Sequence, residues 1–164
     1  MKVFKQSLMA FFSLMIFWIL LAGWQTQDLI VGAIISLLLA LLYQKSSALF
    51  GEFRFTLKSI VSFIQFIFVF SFELIKSNLD VALRVVNPKL PINPGIVKVK
   101  TKLKSRLGRV MLANSITLTP GTLTVDTDGE DYYIHWIDVS STDIEGATEK
   151  IVHKFEKYLE VCYG

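Results

Sequence analysis

The chain has 164 residues, 52% of them hydrophobic, and twelve of its thirteen phenylalanines and most other apolar residues crowd into the first 80 positions. That layout excludes a single water-soluble core and points to membrane segments followed by a smaller soluble part. Charge divides the chain as well: residues 1–80 carry six Lys/Arg against four Asp/Glu, 81–125 eight against none and 126–164 three against ten, so a +8 block precedes a −7 tail. The single cysteine, Cys162, excludes an internal disulfide.

The first apolar run is Leu8 to Trp24, "LMAFFSLMIFWILLAGW", and the second is Leu29 to Tyr43, "LIVGAIISLLLALLY". At 1.5 Å per residue they make roughly 25 and 22 Å of helix, and with flanking residues they reach the ~30 Å of a hydrocarbon core. The pattern predicts a helical hairpin with spans at about 8–24 and 29–43. Lys2 and Lys5 precede it, Lys45, Arg54 and Lys58 follow it, and the turn Gln25–Asp28 has no basic residue, so both ends are expected to face the cytoplasm. A cleaved signal peptide is disfavoured, because no small-x-small site follows Trp18 and a second apolar run comes at once. No ionisable residue lies between Lys5 and Asp28 or between Asp28 and Lys45, so the hairpin by itself lacks the groups of an ion path.

A third run predicts a helix over about 59–86. Ser62, Gln65, Glu73, Lys76, Asp80 and Arg84 form a polar stripe at helical spacing, and Ile60, Phe63, Ile64, Ile67, Phe68, Phe70 and Ile75 cover the rest. Two placements are open: an amphipathic helix in the interface, or a third span. The interfacial placement keeps every basic segment on one side of the membrane. Glu73 is the candidate for an ion relay inside an apolar segment, against the plainer reading of a surface pair with Lys76 at i, i+3.

"NPKLPINPG", residues 87–95, holds three prolines and reads as a rigid linker. In "IVKVKTKLK" the alternation predicts a strand burying Val97, Val99, Thr101 and Leu103. Lys98, Lys100, Lys102 and Lys104 fall on its other face and, with Arg106, are the candidate contacts for anionic lipid or a partner, or else serve as edge protection. Ser105 is expected to cap a short helix ending near Ala113, with Asn114 in the left-handed position. Pro120-Gly121 suits a change of direction better than a tight hairpin, because proline fixes φ near −65°. The hairpin signal is Asp128-Gly129, which predicts Val125 opposite Tyr132, Leu123 opposite Ile134, Trp136 on the same face, and Asp126 opposite Asp131. Thr142 and Glu145 form a capping box before a helix whose apolar stripe is Ile144, Thr148, Ile151, Phe155 and Leu159. The expected fold is thus a membrane α-helical hairpin plus an amphipathic or third membrane helix (1–86), a linker (87–95) and a small α+β domain of order β-α-β-β-α (96–164) on the cytoplasmic side.

No Gly-rich phosphate loop, Cys/His metal spacing or Ser/His/Asp arrangement is present, and His135 and His153 stand singly. The sequence therefore predicts no catalytic, cofactor or metal residues. No nucleic-acid-binding motif accompanies the basic block, which leaves membrane lipids and proteins as the expected partners. One function consistent with these features is an independent membrane-anchored module that binds lipid or protein.

"LANSITLTPGTLTVD" (Leu112 to Asp126), "YYIHWID" (Tyr132 to Asp138), "FELIKSNLDVA" (Phe72 to Ala82) and "NPGIV" (Asn93 to Val97) together resemble the E subunits of Mrp-type multisubunit monovalent cation/proton antiporters. The resemblance spans Phe72 to Asp138. It implies an accessory subunit in a bacterial plasma-membrane complex that exchanges sodium for protons. The other subunits are then its partners, and the ion paths are expected in the large subunits of the complex.

Overall fold

In a computed structural model, described over residues 2–42 and 52–164, the chain divides into two compact units, Met1–Phe53 and Arg54–Gly164. Tyr43 and Lys45 lie outside the described residues, and of Lys2 and Lys5 the backbone alone is described.

The first unit is a helical hairpin, α1 (Lys2–Ala22) and α2 (Thr26–Leu42). The turn falls at Gly23–Gln25, earlier than expected, so Asp28 sits in the first turn of α2, where a carboxylate favours the positive end of the helix dipole. The helices approach closely because α2 turns Gly32, Ser36 and Ala40 inward at a spacing of four. A Cβ at Gly32 would run into the Trp18 indole, and Trp18 Nε1 donates to the Asp28 carbonyl at 2.9 Å.

The second unit begins with α3 (Leu57–Val86), started by Thr56, whose hydroxyl accepts from Ser59 N. Among the described residues α3 is the one helix long and apolar enough to cross a membrane by length and composition; the apolar parts of the hairpin, Ser7–Ala22 and Thr26–Leu42, are shorter. Then come β1 (Gly95–Lys100), α4 (Arg106–Leu118), β2 (Thr122–Asp128), β3 (Asp131–Trp136), α5 (Ile144–Ile151) and α6 (His153–Tyr163). The three strands form an antiparallel sheet of order β1-β3-β2. Its inner face supplies Val97, Val99, Tyr132 and Ile134 to a core that Leu112, Ile116, Ile151, Phe155 and Leu159 complete from the helices. As the alternation predicts, Val97, Val99, Thr101 and Leu103 are all buried, although the strand itself stops at Lys100.

Four local expectations are corrected. α4 runs five residues past Ala113, because Leu112 and Ile116 bury at i, i+4, and Ser115 and Thr119 turn their hydroxyls back onto the carbonyls of Met111 and Ser115; Asn114 is an exposed helical residue and no stop. The hairpin turn is Gly129-Glu130, with Asp128 opposite Asp131 and Asp126 opposite Tyr133. This slip, with a bulge at Val125, puts Thr124 opposite Ile134 and exposes Leu123 and Val125, because Thr124 is held from α4: its N–H donates to Thr117 Oγ1 and its hydroxyl to the Ala113 carbonyl. The last helix is capped by Asp143, which accepts from Gly146 N, and not by Thr142. It also breaks at Val152, so the single expected helix is the pair α5 and α6.

Tyr132 is 2% exposed and donates to the Arg109 carbonyl at 3.0 Å. Burial, reinforced by nearby Glu156 and opposed by Arg109, pushes its phenol from 10.0 up to about 12. The unfolded chain ionises this group first, so its contribution to stability is complete below pH 10 and is lost as pH rises towards 12. Ultraviolet tyrosinate titration is expected to show a late-ionising phenol that Tyr132→Phe removes, and the same substitution should flatten the alkaline fall in stability over that window.

Candidate functional site

The residues of α3 spaced three or four apart make one narrow inward stripe, and the α+β fold holds it at successive points. At the N-terminal end, Ser59 Oγ donates to the Val161 carbonyl at 3.1 Å and Ser62 Oγ to the Tyr158 carbonyl at 3.0 Å. The Val161 carbonyl lies in the last turn of α6, where the helix leaves acceptors without partners of its own, so Ser59 serves as a C-terminal cap and Ser62 holds the turn before it. Cys162 Sγ donates to the Ser59 carbonyl at 3.3 Å, and burial pushes its thiol up, which leaves a packed group of low reactivity.

One turn further along α3, Phe66 and Phe70 meet Phe155, with ring centroids 6.4 and 6.2 Å apart. Glu73 follows and pairs with Lys154 of α6 at 2.8 Å, both side chains largely shielded. The surface pair with Lys76 is thereby corrected: the partner of Glu73 lies 81 residues away, beyond the reach of a spacing argument.

At the C-terminal end Arg84 joins three elements. Its guanidinium donates to Asp80 at 2.7 Å, to Asp138 at 2.9 Å and to the Pro91 carbonyl at 2.6 Å. α3, the proline segment and the end of the β3 motif thus share one cation. The proline segment is held further by Asn93, whose N–H donates to the Ile137 carbonyl and whose side chain donates to Val139 O. Gly121, at φ +91°, passes beneath: a Cβ there would lie 3.0 Å from Ile137 and 3.8 Å from Val81 of α3.

The threonines of "LANSITLTPGTLTV" are used internally. Thr119 and Thr122 donate to the carbonyls of Ser115 and Ile116, as Thr124 does to Ala113, so the motif closes the end of α4 onto β2. Above it lies a cleft of about 240 Å³, lined by Ser77, Asp80 and Arg84 from α3, by Trp136 and Asp138, and by Lys150 and Lys154.

The basic candidates are not gathered into one site. Lys98 pairs with Asp131 at 2.8 Å, which raises its pKa chiefly through that hydrogen bond. Lys100 is exposed on the same open face of the sheet, opposite the side that carries the helices. Lys102, Lys104 and Arg106 are exposed along the crossing to α4. His135 is exposed on β3 and His153 pairs with Glu149, and among the described residues no three His, Cys, Asp or Glu side chains group to hold a metal ion.

The chain that makes these arrangements matches a known family. The Na+/H+ ion antiporter subunit family, MNHE, matches residues 11–161. The chain is 38% identical over 118 residues to the E subunit of the Na(+)/H(+) antiporter of Alkalihalophilus pseudofirmus, covering 71% of this chain and 72% of that protein. It is 38% identical over 151 residues to the E1 subunit of the Na(+)/H(+) antiporter of Staphylococcus haemolyticus, covering 87% and 92%. Among solved structures, a chain of the membrane-bound sulfane sulfur reductase, an archaeal respiratory membrane complex, superposes with a TM-score of 0.83 at 46% identity, covering 95% of this chain and 98% of that one. The resemblance read in residues 72–138 thus extends along almost the whole sequence, and the chain belongs to the family of E subunits of multisubunit Na+/H+ antiporters.

Proposed function

We propose that this chain is an accessory integral-membrane subunit of a multisubunit cation/proton antiporter complex in the plasma membrane, supporting assembly and exchange and not forming the ion path alone. The hairpin spans the bilayer, the α+β fold lies on the cytoplasmic side, and the other subunits and membrane lipids are its partners. The observation that carries the accessory role is Glu73: the relay candidate is engaged by Lys154 at 2.8 Å in a contact that docks α3. The likenesses to antiporter subunits give no support to an independent membrane-anchored module.

In everted vesicles carrying the complex, Glu73→Gln is expected to leave Na+/H+ exchange near the parental rate wherever the complex assembles. Deletion of the chain is expected to lose the assembled complex on a native gel. Unchanged assembly and exchange after deletion, or abolished exchange in an intact Glu73→Gln complex, would each sink the proposal.

A second reading has its own support. The 46% identity to a chain of an archaeal respiratory membrane complex favours the same accessory role within a redox-coupled assembly. Purification through this chain in mild detergent separates the two: co-purifying redox subunits point to the respiratory assembly, and antiporter subunits alone to the free-standing exchanger.

A further inference from the structure

We infer that α3 lies along the cytoplasmic leaflet as an inserted amphipathic anchor and does not cross the bilayer. The inference rests on the membrane placement proposed above, and not on which complex the chain joins. Its basis is that the α+β fold grips α3 almost from end to end. Contacts run from Ser59, through Glu73, to Arg84, all on one side of a helix of 30 residues, roughly 45 Å long. A spanning α3 would carry Lys150, Lys154 and Asp138 towards hydrocarbon with it, where ionised side chains are costly to place.

The opposite side of the helix is apolar and uncovered. Ile60, Ile64, Phe68, Phe72, Ile75 and Leu79 all face outward, with Phe68 and Phe72 72% and 65% exposed. At 100° per residue these positions form one arc facing away from the docked stripe. Lys58 and Lys76 are exposed on one flank of that arc, about five turns apart, and Lys89 follows just beyond the helix. An apolar arc edged by lysines, along a helix whose other side is occupied by a folded domain, matches the boundary between acyl chains and anionic headgroups. The occupant of this face is therefore a leaflet containing anionic lipid. Lys98 and Lys100, on the open face of the sheet away from the helices, then point to the aqueous side and suit a protein contact better than lipid.

The test uses the full chain, in its complex, reconstituted into sealed vesicles of phosphatidylcholine and phosphatidylglycerol, with Cys162 replaced by alanine. Lys58→Cys and Lys89→Cys are expected to react with an impermeant maleimide from the same side, with loss of labelling from the other; reaction from opposite sides overturns the inference. Bimane attached to cysteines at Val61, Phe68, Ile75 and Val86 gives an independent depth readout against lipid-borne quenchers. Equal, shallow quenching at all four supports the anchor. A gradient that passes the midplane, or no quenching because a neighbouring subunit covers the face, overturns it. Failure to co-purify with antiporter or redox subunits would sink the functional proposal and leave the depth profile unchanged.

Discussion

Phe155→Ala is expected to destabilise the second unit by about 3–5 kcal/mol, the usual range for truncating a fully buried phenylalanine. Phe155 is fully buried, and its ring meets both Phe66 and Phe70 of α3. It also helps line the cleft with Ile116, Trp136 and Ile151, so its loss opens the packing of α6 against α3 beside that cleft. A denaturation series on the detergent-solubilised chain measures the loss, and hydrogen exchange locates it: the amides of Phe66 to Phe70 should lose protection along with α6. Phe155→Leu keeps most of the volume and is expected to cost about 1 kcal/mol. If Phe155→Ala cost no more than Phe155→Leu, the docking of α3 would rest on its serine and ion-pair contacts and not on this ring.

The substitution matters because it separates what the sequence discloses from what only the fold does. The apolar spacing of Ile151, Phe155 and Leu159 marks a buried helical face, and all three are buried. The same spacing says nothing of what Phe155 meets, since Phe66 lies 89 positions earlier in a stretch that reads as membrane-facing. The polar stripe of α3 is visible as a stripe, but periodicity does not distinguish a side that faces water from one that faces a folded domain. Ser62 is legible only as a member of that stripe and Ser59 not at all, and the structure buries both against carbonyls of α6. Turn chemistry fared similarly. Pro120-Gly121 was legible as a redirection into β2 because proline's φ is fixed locally. The β2–β3 register was not, because it is set by Thr124 reaching back to Ala113 and Thr117, a contact that exists only once α4 has run on to Leu118. The family motif is in this sense structural shorthand: its threonines hold a helix end to a strand, and its Asp138 receives Arg84.

Glu156 is the residue that sequence reading passed over entirely, and Glu156→Ala is expected to cost about 3 kcal/mol. It stands beside Phe155 in a tail rich in acidic residues and looks like one more solvated carboxylate. It is instead 3% exposed, and its Oε1 accepts from Thr101 Oγ1 at 2.6 Å and from Lys102 N at 2.7 Å. Residues 101–104 have left the β1 ladder and not yet entered α4, so this carboxylate takes the place of a neighbouring strand. Truncation to alanine leaves a buried hydroxyl and a part-buried N–H without their acceptor, each worth about 1–3 kcal/mol. Glu156→Gln keeps a carbonyl oxygen of similar reach and is expected to cost about 1 kcal/mol, the difference between a charged and a neutral acceptor. The order wild type, glutamine, alanine in denaturation midpoint, with faster exchange at the Lys102 amide in the alanine variant alone, is the signature of an acceptor role. Equal losses in the two variants would mean that the negative charge, and not the placement of Oε1, holds the crossing to α4.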